Sequence, residues 1–353
     1  MKIAIDCRFE GKSGIGTFIE NVVGGLLKNH SEHEYLLIVE SGKEFVTFDK
    51  NVKLLKTNIK PFSLKELFCF PVSEINRCDA FFLPYINIPG GIKIPTFTTI
   101  HDLVFFDIEG LVTLIGRYVR KLYYKRAIQL SKKIFTVSNF SKSRLLYHFP
   151  TKKDIIIVSN GVPQELIDYD ASNFKEKKDY FIFVGNIKKH KGLKTLVEAF
   201  SIAQERGMTS KLIIVGSDEQ LRTTDSHLYY KLNKVNQIEI TGWLMKEQLI
   251  KLISQAKALV QPSLYEGFGI PPLEAICLGT DVIMSDIPVF KELYHDIPDC
   301  FFKVGNSEDL AERLLSFKPN SHLKELKTVL LERYNYRYTA DMILDTIVKN
   351  SPK

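Results

Sequence analysis

Glu266 and Glu274 stand eight positions apart, on either side of the run Gly267-Phe268-Gly269-Ile270-Pro271-Pro272-Leu273. The residues before them predict a buried strand ending near Pro262. The two prolines predict a helix start, where a missing backbone N–H does no harm. The free N–H groups of that helix would face out from the carboxyl end of the strand, where a phosphate or diphosphate is best held. Carboxylates beside a phosphate are unfavourable unless they accept hydrogen bonds from hydroxyls, so sugar hydroxyls are the fitting partners. The bland alternative is a Gly-Pro loop followed by a Glu that complements the helix dipole.

Two other spacings compete with that chemistry. Gly14-Ile15-Gly16 follows a strand-like run, and Glu40 ends the next one, so the pair of glycines could be a dinucleotide fingerprint of an NAD-dependent enzyme. However, the third small position is Ile19 and the glycines lie eight or more residues beyond Asp6. The run is therefore read as a loop whose backbone approaches a donor phosphate or an acceptor at a helix N-terminus. Asp168-Tyr169-Asp170 has the D-x-D form of a divalent-metal site on a diphosphate, but it sits in polar linker sequence and reads as solvation.

Positioning these residues requires a frame, and the chain alternates strand-like with helical stretches. Lys2–Asp6, Tyr35–Glu40, Val52–Thr57, Ala80–Leu83, Thr96–Ile100, Lys133–Val137 and Asp154–Val158 are short apolar or β-branched runs. Between several of them the spacing is helical, as with Phe18, Val22 and Leu26, or Leu122, Ala127 and Leu130. After Asn160-Gly161-Val162-Pro163 the chain turns polar, and the alternation restarts with strands at Tyr180–Val184, Lys211–Val215, Gln237–Thr241, Ala258–Gln261 and Asp281–Met284. The closing stretch from Tyr336 predicts a helix, with Tyr338, Met342 and Asp345 or Thr346 one turn apart. The fold class is α/β: two Rossmann-like domains with parallel sheets facing an interdomain crevice, 1–165 and 178–335.

Of 353 residues, 45% are hydrophobic and 25% charged, which excludes a disordered or collagen-like chain. Five scattered cysteines, never in a C-x-x-C pair, argue against a disulfide framework or a zinc ribbon and for a reducing cytosol. No signal-peptide core or membrane-length apolar run is expected. The net charge of +7 falls in the first part, where residues 1–165 carry 23 Lys and Arg against 16 Asp and Glu. That half suits an anionic surface, and Arg117, Arg120, Lys121, Lys125, Arg126, Lys132 and Lys133 interleaved with Tyr118, Leu122, Tyr123 and Tyr124 suit an anionic leaflet. Tyrosines packed on the sheet are the plain alternative. No RNA or DNA motif accompanies the charge, so no nucleic-acid partner is expected.

The spacing Glu266 to Glu274 within E-G-F-G and P-x-E-A resembles the E-x7-E motif of glycosyltransferase family 4, the large retaining family of GT-B fold. The resemblance extends over nearly the whole chain, through Ile5-Asp6-Cys7-Arg8 with Ser13-Gly14-Ile15-Gly16, Thr99-Ile100-His101-Asp102-Leu103, Thr136-Val137-Ser138-Asn139-Phe140-Ser141 and Ser159-Asn160-Gly161-Val162. It continues through Phe183-Val184-Gly185-Asn186, His190-Lys191-Gly192, Val215-Gly216 and Thr241-Gly242-Trp243-Leu244. Together these look most like the bacterial mannosyl- and rhamnosyltransferases of O-antigen and capsule synthesis.

The resemblance implies roles. Glu274 would bind the donor ribose, and Glu266 with the backbone of Gly267, Phe268 and Gly269 would hold the transferred sugar. Lys191 would neutralise the departing diphosphate as the sugar approaches an oxocarbenium ion, a task that suits a mobile point charge. Lys188 is assigned in place of the arginine that many members carry. His101 would contact the sugar at the reaction centre. Gly16, Gly185, Trp243, Leu244 and Leu273 complete the donor-binding set. The closing helix, 336–353, would pack back on the first domain. The implied reaction is retaining, metal-independent transfer of a hexose, with GDP-mannose favoured, to a polyprenyl-diphosphate-linked saccharide. It would run on the cytoplasmic face of the membrane and needs no cofactor. Alternatives are a dTDP-rhamnose, UDP-glucose or UDP-GlcNAc donor, a sugar-nucleotide epimerase of the same fold, or a non-catalytic basic membrane adaptor.

Overall fold

The computed structural model describes residues 1–11, 13–42, 50–169, 176–216, 232, 235 and 237–352. Two compact units divide the chain, one formed by Met1–Asn160 with Asn335–Lys353 and the other by Gly161–Tyr334. The first contains β1 (Lys2–Asp6), β2 (Glu34–Glu40), β3 (Val52–Thr57), β4 (Ala80–Leu83), β5 (Thr96–Ile100), β6 (Lys133–Thr136) and β7 (Ile155–Ile157). The second contains β8 (Tyr180–Val184), β9 (Lys211–Val215), β10 (Ile238–Gly242), β11 (Ala258–Gln261), β12 (Asp281–Ser285) and β13 (Phe301–Phe302).

All ladders within the two sheets are parallel, in the orders β3-β2-β1-β4-β5-β6-β7 and β10-β9-β8-β11-β12-β13. Central strands such as β4 and β12 are buried throughout, as parallel strands covered on both faces must be. In each sheet the order reverses direction once, between β1 and β4 and between β8 and β11. The carboxyl ends of those strand pairs are where open α/β sheets bind ligands.

Helix α1 (Ser13–Asn29) buries Phe18, Val22 and Leu26 on the first sheet, as their spacing predicts. The run Gly14-Ile15-Gly16, expected as a loop, is instead its first turn. The closing helix, Tyr336–Asn350, belongs to the first unit. It crosses α1 where a Cβ on Gly25 would lie 3.0 Å from the Ala340 Cβ. Its buried face is Tyr336, Ala340, Ile343, Leu344 and Ile347, whereas Tyr338 and Met342 face out.

Two sequence expectations shift. The units divide at Asn160/Gly161, before residue 165, because the short helix Gln164–Ile167 packs on the second unit: Leu166 is buried and its carbonyl accepts the Cys277 thiol at 3.4 Å. Helix α2 (Leu114–Leu130) buries Tyr124, Ala127 and Ile128 in place of Leu122 and Leu130. Its aromatic face wins because Tyr124 stacks on Phe149 and donates its hydroxyl to the Asp102 carbonyl at 2.8 Å. The two-residue β13 is too short for any sequence pattern to disclose.

Candidate active site

In the second unit three neighbouring strands end at or just before a glycine. Gly185 follows β8, Gly216 follows β9, and Gly242 ends β10 and bridges Gly216. A Cβ on Gly216 would lie 2.6 Å from the Gly185 carbonyl, so bare backbone lines this edge. Trp243 beyond it is largely exposed and Leu244 half-buried.

Beside that edge, β11 ends in Gln261, and the loop 262–269 leads into helix α3 (Ile270–Cys277). Gly269 begins the helix at φ +94, where a Cβ would run into the Phe290 ring at 2.4 Å, and the prolines take up its first turn. The facing loop, Lys189–Lys191, closes at Gly192 with φ +68. Here a Cβ would sit 1.8 Å from the Pro262 carbonyl, and Leu264 N–H donates to the His190 carbonyl at 2.8 Å. The two loops are thus locked by backbone contact. Gly192→Ala is expected to lower the unfolding midpoint by roughly 6 °C or more, since it combines left-handed strain with that clash. It should also erase any nucleotide-induced stabilisation; thermal unfolding with and without nucleoside diphosphates checks both.

The lock brings Lys191 to Glu266. The ammonium lies 2.7 and 2.8 Å from the two carboxylate oxygens. Glu266 Oε1 also accepts from Ser263 Oγ at 2.7 Å and from Gln261 Nε2 at 3.3 Å, while Gln261 Nε2 donates to Ser263 Oγ at 2.9 Å. Oε2 is held by Lys191. Ser285 Oγ fixes the Ser263 carbonyl from below. Gln261 Oε1 and His190 Nδ1 are buried without a hydrogen-bond partner among the described residues. Such atoms are costly unless a ligand or water supplies the partner. Burial, with Lys191 adjoining, pushes His190 down to about 4.

Glu274 stands in α3. Its side chain makes no hydrogen bond or ion pair among the described residues, and burial pushes its carboxyl up to about 7 against the pull of Lys246. Such a carboxylate gains from hydroxyl donors. Lys188 is exposed on the loop that carries Lys191. Phe268 is buried edge-on against Tyr334, so it offers a ligand only its backbone, along with Gly267 and Gly269.

The remaining expected residues are Leu273 in α3 and, in the first unit, Gly16 and His101. Leu273 is 1% exposed, and its side chain belongs to the core rather than to a ligand surface. Gly16 is in the first unit, where a Cβ would meet the Phe9 carbonyl at 2.6 Å, so the chain's own packing already requires glycine there. His101, at the end of β5 in the first unit, contacts the Pro84 carbonyl through Nε2 at 2.9 Å. A carbonyl only accepts, so the proton is on Nε2 and Nδ1 remains an acceptor. Burial pushes this imidazole down to about 4, leaving it neutral near pH 7. Asp168 caps the end of the short helix Gln164–Ile167 and accepts from Gln164 at 2.9 Å, and Asp170 lies outside the described residues.

Sequence reasoning assigned no role to Gln261, Ser263 or His190. The available signal was a polar residue closing the apolar run Ala258-Leu259-Val260. It also passed over a buried charge cluster in the first unit. Arg8 donates to Asp6 at 2.6 and 2.9 Å and to Tyr85 Oη at 2.7 Å, and it pairs with Glu66, all four being at most 2% exposed.

Residues 167–329 match the family described as Glycosyl transferases group 1. The O-antigen chain mannosyltransferase RfbU of Salmonella typhimurium is 31% identical over 182 residues, covering 50% of this chain and 49% of its own. O-antigen chain mannosyltransferase B of Escherichia coli is 27% identical over 214 residues, covering 56% and 55%. The chain thus spans about half the length of these relatives. Among solved structures, Anabaena HepE in complex with UDP and glucose superposes with a TM-score of 0.75 over 99% of this chain and 100% of that one, at 14% identity, a likeness of fold. Residues 167–329, a little under half of the chain, are thus similar to the Glycosyl transferases group 1 family, within a chain of GT-B fold that resembles the bacterial O-antigen mannosyltransferases.

Proposed function

We propose that this protein is a retaining, metal-independent hexosyltransferase of cell-surface polysaccharide synthesis. It transfers mannose from GDP-mannose to a hydroxyl of a polyprenyl-diphosphate-linked saccharide, working peripherally on the cytoplasmic face of the membrane. The observation that carries the reading is the Lys191–Glu266 pair at the carboxyl ends of β8 and β11. An arriving diphosphate draws Lys191 away from Glu266. Oε2 then becomes free to accept hydroxyls of the transferred sugar, while Ser263 and Gln261 keep hold of Oε1. As the bond to the leaving group breaks, charge grows on the diphosphate, and Lys191 with the first turn of α3 meets it. The choice of mannose rests on the relatives named above.

The test is thermal unfolding with GDP, UDP, dTDP, CDP and NAD in separate wells. A ligand at 100 times its Kd adds about 2.7 kcal/mol. GDP alone shifting the midpoint fits the proposal, another nucleoside diphosphate corrects the donor, and NAD alone sinks it. Release of GDP only when a saccharide acceptor is added distinguishes transfer from epimerisation.

Glu274 adds a pH signature. Its folded carboxyl is at about 7, and ribose hydroxyls are best accepted by the ionised form. Affinity for the intact nucleotide sugar should therefore fall by about tenfold from its high-pH plateau on going to pH 6, as one unit of proton competition requires. Glu274→Gln should bind more weakly at pH 8 and show a flat profile; a titration of donor affinity against pH decides.

A further inference from the structure

Helix α2 is apolar on two faces. Tyr124, Ala127 and Ile128 face the core, whereas Ile115, Tyr118, Val119 and Leu122, at the i, i+3, i+4, i+7 spacing of a second stripe, are 78, 63, 42 and 49% exposed. Leu114 at its start is 85% exposed. Single exposed apolar residues need no explanation, but a contiguous stripe does. Phe62 meets Tyr123 edge-on and leads to the short helix Leu64–Phe68, whose two end residues are 73 and 83% exposed.

The charge on the helix itself is of one sign. Helix α2 carries five basic residues and no acid. Lys121 and Lys125 are exposed beside the stripe. An open cavity of about 320 Å³ places Arg117 and Lys121 among Leu114, Tyr118 and Phe149. At the level of units, 1–160 with 335–353 holds 26 Lys and Arg against 17 Asp and Glu, whereas 161–334 holds 22 against 24. The positive excess thus belongs to the unit that carries the stripe.

We propose that this face of α2 docks on an anionic lipid bilayer. The apolar stripe enters the headgroup boundary, Lys121 and Lys125 meet lipid phosphates, and the cavity takes a headgroup phosphate against Arg117 with the start of its acyl chain on the apolar wall. Among the described residues no helix is long and apolar enough to cross a membrane, so contact of this kind is superficial. A second copy of the chain is a poor occupant, since symmetric pairing would bring two sets of these cations together. The inference rests on the proposed lipid-linked acceptor only for its purpose; its observations are independent of the donor site.

The test is co-sedimentation of the full chain with vesicles of phosphatidylcholine alone or mixed equally with phosphatidylglycerol, at low and high salt. We expect binding to the mixed vesicles, release by salt, and a loss on the order of tenfold or more in Ile115→Glu/Leu122→Glu and in Lys121→Glu/Lys125→Glu. These side chains are exposed, and an unchanged nucleotide-induced thermal shift verifies the fold. Equal binding to both vesicles, wild-type binding by the variants, a dimer that the apolar substitutions disperse, or RNA binding in place of vesicle binding would each overturn the proposal. Vesicle binding without any nucleotide shift would sink the transferase reading and leave this one standing; the reverse pattern would do the opposite.

Discussion

Lys191→Met is expected to lower sugar transfer about a thousandfold or more, the largest catalytic effect of any single substitution in this chain. Two losses combine. The leaving diphosphate loses its neutralising charge at the moment it needs it, a loss that in comparable sites costs on the order of 10² to 10³ in rate. Glu266, 9% exposed, is also left as a carboxylate facing an incoming dianion. The second loss can be separated from the first. Lys191→Met/Glu266→Gln removes both members, so it should recover nucleotide binding relative to Lys191→Met while remaining inactive. Lys191→Arg keeps the charge but replaces a compact, mobile ammonium with a planar fork that pairs bidentately with the Glu266 carboxylate and is harder for a diphosphate to draw away, and partial activity is expected. The readouts are release of nucleoside diphosphate and donor affinity by titration. Lys191→Met retaining more than a tenth of wild-type turnover would overturn the assignment of the pair.

The frame of this molecule was legible because parallel strands covered on both sides leave uninterrupted apolar runs. Runs such as Ala80–Leu83 and Tyr180–Val184 coincide with β4 and β8 at both ends. Glu266, Gly269 and the prolines were legible because loop and helix-start chemistry is local. Which face of a helix is buried was less so: in α2 the choice between Leu122 and Tyr124 depends on Phe149 and the Asp102 carbonyl, neither nearby in sequence. The glycines mislead for a related reason. Gly16 looks like a phosphate-loop residue, yet the chain's own Phe9 carbonyl already excludes a Cβ there, as the Pro262 carbonyl does at Gly192. Ser263 and Gln261 escaped because a hydrogen-bond relay to Glu266 exists only once β11 and its loop are folded together.

Arg8→Met is expected to produce the largest loss of stability, on the order of 3–5 kcal/mol in the first unit, by leaving buried carboxylates without their cation. Arg8 is bound by Asp6, Tyr85, Glu66 and the Ile59 carbonyl, and its guanidinium lies 4.4 Å from the centre of the Phe70 ring. One guanidinium does not neutralise two carboxylates, and burial pushes Glu66 up to about 7 despite Arg8. A carboxyl raised on folding takes up a proton that the unfolded chain, at its ordinary 4.5, has already lost. Glu66 therefore makes stability fall as pH rises from about 4.5 to 7, and the difference is largest above 7. Glu66→Gln should flatten that decline while keeping a partner for the Phe62 N–H, which Glu66 now accepts at 2.7 Å. In Arg8→Met the remaining pair should hold its proton to higher pH still, so the variant should be more stable at pH 5 than at pH 8 by a wider margin than wild type. Adding Glu66→Gln to Arg8→Met should restore more than half of the loss at pH 8. Thermal unfolding across pH checks all three proteins, and an Arg8→Met midpoint within about 2 °C of wild type at pH 8 would show that the network carries no such burden. The cluster matters beyond stability because it ties β1 to the loop after β4 at the point where the first sheet reverses its order, so the same variants should loosen whatever that edge holds.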